Sequence, residues 1–222
     1  MPNKKNATLI TVAVLFAIVA FVAGLFFAQH LPERKPMDRT QFHGTLLDKP
    51  REIRPFMLTG IDNRPFSNGN LQGQWTLFFF GFTHCASMCP TAMAELGKMY
   101  RLLDDNGVKP LPRVVMISLD PKRDTLETLG AYVKAFDIQF FGASGSEESI
   151  HAMTREMGIA YVKITDKGAE NMKNYNIEHT GTVILLNPQG KLSAFFTMPH
   201  QAELLAKDYS LLIASNQGNI KP

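Results

Sequence analysis

Cysteine and tryptophan are scarce in this 222-residue chain: there are two cysteines, at 85 and 89, and a single tryptophan. Two cysteines cannot build a disulfide scaffold, so a compact fold must come from apolar burial. No block of basic residues interleaves with aromatics, and the formal net charge is only +3, so nucleic-acid binding has no support. There is no internal repeat and no low-complexity tract. No cysteine follows the N-terminal apolar run, which removes a lipoprotein anchor.

A 45% hydrophobic, 19% charged composition suits one globular domain with an appendage. The appendage is at the start. Ala7 to Ala28 is 22 residues without charge or proline. As a helix it would span about 33 Å, against a hydrocarbon core of about 30 Å. Lys4 and Lys5 precede it, so the positive-inside rule expects residues 1–6 in the cytoplasm and the remainder across the membrane. A cleaved signal peptide would have a shorter apolar core and small residues at its end, whereas this run ends Leu25-Phe26-Phe27-Ala28. An uncleaved single-pass anchor over 7–28 is therefore expected. The segment before it is too short for an organelle transit peptide, which points to a bacterial inner membrane with a periplasmic C-terminal domain. Residues 29–50, with Pro32, Pro36 and Pro50 among charges, read as a tether and domain entry, with a first strand over Phe42–Leu47.

The domain, 51–214, alternates strands and helices, ahead of a frayed tail over 215–222. Strands are expected at Ile53–Leu58, Trp75–Phe82, Arg113–Leu119, Ile138–Phe141, Ile159–Ile164, Thr182–Leu186 and Leu192–Thr197. The Trp75–Phe82 run is apolar on both faces and predicts a central strand. Helices are expected from about Pro90 to Asp104, Asp124 to Phe136, Ser146 to Met157 and Gln201 to Ala214. Pro90 suits a first helical turn, and Asn106-Gly107 and Gly158 suit stops. This is an α/β domain with a mixed central sheet. A cysteine loop between an early strand and its helix makes a thioredoxin-like fold the leading choice.

That loop, Gly81-Phe82-Thr83-His84-Cys85-Ala86-Ser87-Met88-Cys89-Pro90, organises the chain. A helix N-terminus favours thiolate, the form that attacks disulfides and binds metal. Three intervening residues widen the loop relative to Cys-x-x-Cys. The sulfurs can still close a disulfide, but they can also hold a soft ion; soft thiolates select Cu(I), with Zn(II) as competitor. Two sulfurs rarely complete a site. Among the six histidines, His30, His43 and His151 read as solvated, and His200, after Met198-Pro199, as capping or exposed. His84, adjacent to Cys85, would point the other way and serve to modulate thiolate charge. His179 stands at a loop-to-strand junction before Val183–Leu186 and is a candidate third ligand. Met88 and Met93 offer thioethers, although a helix methionine is usually core filler.

The motifs Phe79-Phe80-Gly81-Phe82-Thr83-His84-Cys85 with Cys89-Pro90-Thr91, Ser118-Leu119-Asp120-Pro121-Lys122-Arg123-Asp124-Thr125, and His179-Thr180 followed by Leu185-Leu186-Asn187-Pro188-Gln189-Gly190 occur in that order. Behind one anchor they make the chain resemble the Sco (SCO/SenC) family of membrane-anchored copper proteins that assemble cytochrome c oxidase. The resemblance covers roughly Phe42 to Ala214. It implies a thioredoxin-like fold, one copper ion held by Cys85, Cys89 and His179, and a role at the dinuclear copper centre of oxidase subunit II. Ala86 and Ser87 replace the proline and acidic residue usual after the first cysteine, and Glu178 replaces the aspartate common before the histidine. The two cysteines and the histidine are intact. Trigonal coordination by two sulfurs and one nitrogen suits Cu(I), and Cu(II) with a further weak ligand.

Two functions follow from these residues. One is a copper-binding assembly factor with no catalytic residue, serving oxidase subunit II or another assembly factor. The other is a thiol–disulfide oxidoreductase using Cys85 and Cys89, reducing a partner's copper-site cysteines or served itself by a thiol reductase. A carrier needs His179; a reductase does not. A peroxide-reducing enzyme would need an arginine beside a low-pKa cysteine, and no such motif surrounds Cys85.

Overall fold

The computed structural model describes residues 4–29, 39–165 and 175–216. The chain divides into two units, Met1–Pro36 and Met37–Pro222. In the first, helix α1 runs Lys4–Gln29. Its described side chains, 13–26, are apolar and exposed. Among the described residues no helix is long and apolar enough to cross a membrane. The segment 7–28, expected as a membrane span, lies within helix α1.

In the second unit the elements are β1 (Thr45–Arg51), β2 (Met57–Gly60), β3 (Pro65–Ser67), β4 (Thr76–Gly81), α2 (Met88–Asp105), β5 (Arg113–Ser118), α3 (Leu126–Lys134), β6 (Phe141–Ser144), α4 (Glu147–Met157), β7 (Tyr161–Thr165), β8 (Tyr175–His179), β9 (Val183–Leu186), β10 (Leu192–Phe196) and α5 (Ala202–Asn216). Eight strands form one mixed sheet in the order β1-β10-β9-β4-β5-β6-β2-β3, and β7 and β8 pair separately. β4 is central as expected. It runs parallel to β5 and antiparallel to β9, and all six of its residues are buried. An interior strand covered on both faces has no polar side to show, which is why Leu77 to Phe80 read as an unbroken apolar run. α2 packs against α5, and α3 against β6.

Several boundaries move for local reasons. β1 begins at Thr45 rather than Phe42. β2 begins at Met57, because Pro55 has no amide to give a ladder. Its return strand, β3, is three residues long and starts at a proline, too short for a period-2 pattern to register. The two are joined by a turn in which Asn63 takes φ 60°, a left-handed conformation that asparagine tolerates. The strand expected at Ile138–Phe141 lies at Phe141–Ser144, and Ile138 is exposed. α3 is capped by Thr125, whose side chain accepts from the Thr128 amide, not by Asp124. α4 starts after Ser146 and stops at left-handed Gly158, as the sequence indicates.

α2 opens two residues before Pro90, with Ser87 as its N-cap. Pro90 still lies in the first turn, where backbone amides have no intrahelical partner and the missing N–H costs nothing. The earlier start puts Cys89 inside the helix on the stripe formed by Ala92, Met93, Leu96, Met99 and Leu103, all buried.

Candidate metal centre

Four segments build the site. The loop after β4 carries Cys85, the first turn of α2 carries Cys89, and the end of β8 carries His179. The loop after β5 braces them. The two sulfurs and one imidazole nitrogen lie within 4.8 Å of one another, the single His/Cys/Asp/Glu group of this kind among the described residues. Cys89 Sγ is 3.3 Å from His179 Nε2. The Cys89 backbone amide points at Cys85 Sγ, 3.4 Å away, an interaction that a thiolate would strengthen. Both cysteines are free, Cys89 fully buried and Cys85 half-exposed.

His179 is oriented for coordination. Its Nδ1–H donates to the Thr180 carbonyl at 3.1 Å, which leaves the Nε2 lone pair facing the sulfurs. The rings of Phe79 and Phe82 stand edge-on to it at 6.2 and 6.0 Å between centroids. Burial in that wall holds the imidazole below its ordinary pKa, opposed by the Thr180 bond, so it remains neutral and able to ligate. Burial also pushes the Cys89 thiol well up. A bound cation would reverse that preference, since metal ligation displaces the thiol proton. Metal–sulfur bonds of about 2.3 Å would put trigonal ligands about 4 Å apart, so this donor set fits a single soft ion. Gly81 makes the close approach possible: a Cβ there would stand 3.0 Å from Cys89 Sγ and 2.9 Å from the Phe79 ring.

The supporting residues come from the Asp120–Thr125 motif, in which residue-by-residue reading sees only the helix start at Asp124-Thr125. Buried Asp124 accepts from the Thr83 amide at 3.1 Å, the Thr83 hydroxyl at 2.6 Å and the Ser118 hydroxyl at 2.7 Å. It therefore staples the cysteine loop to β5. Asp120, also buried, accepts from Arg123 Nε and the Tyr175 hydroxyl. Arg123 Nη1 donates to the Tyr175 carbonyl at 2.8 Å, and its guanidinium lies 3.8 Å from the centre of the Tyr175 ring. Tyr175 begins the strand that His179 ends, so this cluster fixes the histidine's strand to the β5–α3 loop. The spacing Asp-x-x-Arg-Asp was the available signal, but nothing in the sequence says what each side chain faces.

The other histidines sort by environment. His84 stays outside the trio, exposed, with Nδ1 at 3.1 Å from the Thr83 hydroxyl and 3.6 Å from Asp124. His200 is not an exposed cap. It is half-buried, and its Nε2 donates to the Gly181 carbonyl at 2.6 Å. His43, expected to be solvated, is held at Nδ1 by buried Asp208 at 3.0 Å. His151 is exposed on α4, and His30 lies outside the described residues. Met93 is core, as expected for a helix methionine, but Met88 is not: it turns toward Gly181.

Fold and site together define a class: a thioredoxin-like domain whose cysteine loop, helix start and a strand-borne histidine bring together three donors that could hold a soft metal ion. The SCO1/SenC family model matches residues 45–214, and the chain belongs to that family. It is 31% identical to the SCO2-like protein of Rickettsia typhi over 67% of this chain and 71% of that one. Among solved structures it is similar to copper-bound ScoI of Arabidopsis thaliana, with 30% identity, TM-score 0.64 and coverage of 71% of this chain and 95% of that one. The apo Sco1 solution structure of Thermus thermophilus matches with 30% identity and TM-score 0.65 over 77% and 95% of the two chains.

Proposed function

We propose that this chain is a copper-binding assembly factor that delivers copper to, or matures, the dinuclear copper centre of cytochrome c oxidase subunit II. The observation that carries the reading is the convergence of Cys85, Cys89 and His179 within 4.8 Å, in a chain of the SCO1/SenC family. Copper is cargo here. Cys85 and Cys89 supply thiolate, His179 supplies the Nε2 lone pair, and the phenylalanine wall keeps water off the imidazole side. Half-exposed Cys85 gives an incoming ligand access to the ion, so the site suits hand-over rather than permanent storage. The uncharged 7–28 segment, within helix Lys4–Gln29 and behind Lys4 and Lys5, supports a single-pass anchor with the domain on the periplasmic side of a bacterial inner membrane.

A second reading, thiol–disulfide exchange on the copper-site cysteines of a partner, is favoured by the Cys89 amide aimed at the more exposed Cys85 sulfur. The two readings part at His179. His179→Ala removes a metal ligand and leaves both thiols able to pair. The carrier reading expects copper content of the full chain to fall from one per chain to near zero, with thiol exchange retained and oxidase assembly failing when copper is scarce. Full assembly by a copper-free His179→Ala chain would refute it in favour of the reductase.

A further inference from the structure

The rim of the Cys85/Cys89/His179 centre carries sulfur that neither of these readings uses. Gly181 lies two residues after His179. The point where a Cβ would stand on it is 2.3 Å from Met198 Sδ and 2.9 Å from Met88 Sδ. Two thioethers therefore close on one spot over the backbone that follows the histidine. Met88 precedes Cys89 in the first turn of α2, so one member of the pair is covalently next to a thiolate ligand. The other, Met198, is 44% exposed. An exposed methionine packed against a glycine beside a thiol site is poor use of an apolar side chain, whereas a thioether is a soft donor for Cu(I). The spot is also held firmly from below. The carbonyls of Thr180 and Gly181 accept from His179 and His200 respectively, which pins the 179–181 backbone against which both sulfurs rest.

We propose that Met88 and Met198 form a second, weaker soft-metal station. It would receive Cu(I) from a thioether- or thiol-bearing donor and pass it to Cys85, Cys89 and His179. This rests on the copper-carrier reading of the main site. The transfer is ligand exchange without electron transfer. For each Cu–thiolate bond that forms, a Cu–thioether bond breaks, the copper stays Cu(I), and the displaced thiol proton goes to water. Thioethers are neutral and bind more weakly than thiolates, so the station would load readily and empty forward into the anionic site. Gly181 is required because any side chain there would occupy the space where the sulfurs meet.

The test uses the full chain with [methyl-13C]methionine and Ag(I), a soft, redox-inert stand-in for Cu(I). In Cys85→Ser/Cys89→Ser, one equivalent of Ag(I) should shift the Met88 and Met198 methyl resonances, and adding Met88→Leu/Met198→Leu should abolish that binding. Methionine to leucine conserves volume, so folding is kept. In the cysteine-intact chain, Met88→Leu/Met198→Leu should leave equilibrium Cu(I) affinity within about threefold of the parent while slowing uptake from a methionine-peptide donor about tenfold. Unshifted Met88 and Met198 methyls in the cysteine-free variant, or an unchanged uptake rate, would overturn the proposal. Failure of the main-site reading looks different: the cysteine-intact parent would then not hold Cu(I) tightly, whatever occupies 88 and 198.

Discussion

Asp124→Ala should uncouple the integrity of the cysteine loop from the presence of its ligands. The carboxylate is 2% exposed and accepts three hydrogen bonds, from the Thr83 amide and hydroxyl and from the Ser118 hydroxyl. Hydrogen bonds to a charged acceptor contribute about 1.5–3 kcal/mol each, but the three losses will not add. Thr83 is half-buried, and water can replace part of what it loses, whereas Ser118 is fully buried and its hydroxyl cannot turn to solvent. The expected cost is about 4 kcal/mol, and with a urea m-value of about 2 kcal/mol per molar the midpoint should fall about 2 M. Asp124→Asn keeps one acceptor oxygen, and the hydroxyls can rotate to suit it, so about 2 kcal/mol is expected there. Copper affinity should fall in both variants although Cys85, Cys89 and His179 remain, because Thr83 is two residues from Cys85. Urea denaturation of the apo protein with a parallel Cu(I) competition titration measures both effects. An Asp124→Ala protein within about 0.5 kcal/mol of the parent, with unchanged copper affinity, would refute the stapling role.

Three further outcomes are expected. Tyr175→Phe removes the hydroxyl donated to Asp120 but keeps the ring under Arg123, so it should cost about 1–2 kcal/mol and raise hydrogen exchange across β8, read by amide exchange at Ile177 and His179. Gly81→Ala puts a methyl group 3.0 Å from Cys89 Sγ, and this overpacking should cost about 1–3 kcal/mol and weaken copper binding, checked by thermal melting and metal titration. Apo stability should fall on both sides of neutrality. Burial lowers His179 and His200 from 6.5, so the unfolded chain protonates first and stability is lost as pH drops below about 6.5. Burial raises Cys89 from 9.0, so stability is complete below that value and is lost as pH rises past it. A urea-midpoint profile should show both limbs, with the alkaline limb diminished in Cys89→Ser.

The sequence by itself determined the α/β class, the centrality of β4, the α4 caps and the shared loop of the two cysteines. These follow from short-range physics: an unbroken apolar run has no face for water, a glycine after a helix takes a left-handed turn, and two thiols near a helix start share one loop. Even there, the helix begins two residues earlier than Pro90 suggests, because proline tolerates any position in the first turn. Its position before Val183–Leu186 made His179 one candidate for a third donor, and only the motif resemblance singled it out. His179 ends a five-residue strand of mixed burial that pairs with β7 rather than the main sheet, and no local pattern announces such a strand. Tertiary structure alone decided what faces what. It turned Asp124 inward to hold Thr83, closed Asp120 and Arg123 on Tyr175, and brought Met88 and Met198, far apart in the chain, onto one glycine. Those contacts depend on how loops at the ends of β4, β5 and β8 are stacked by the sheet order, a long-range property that no window along the chain contains.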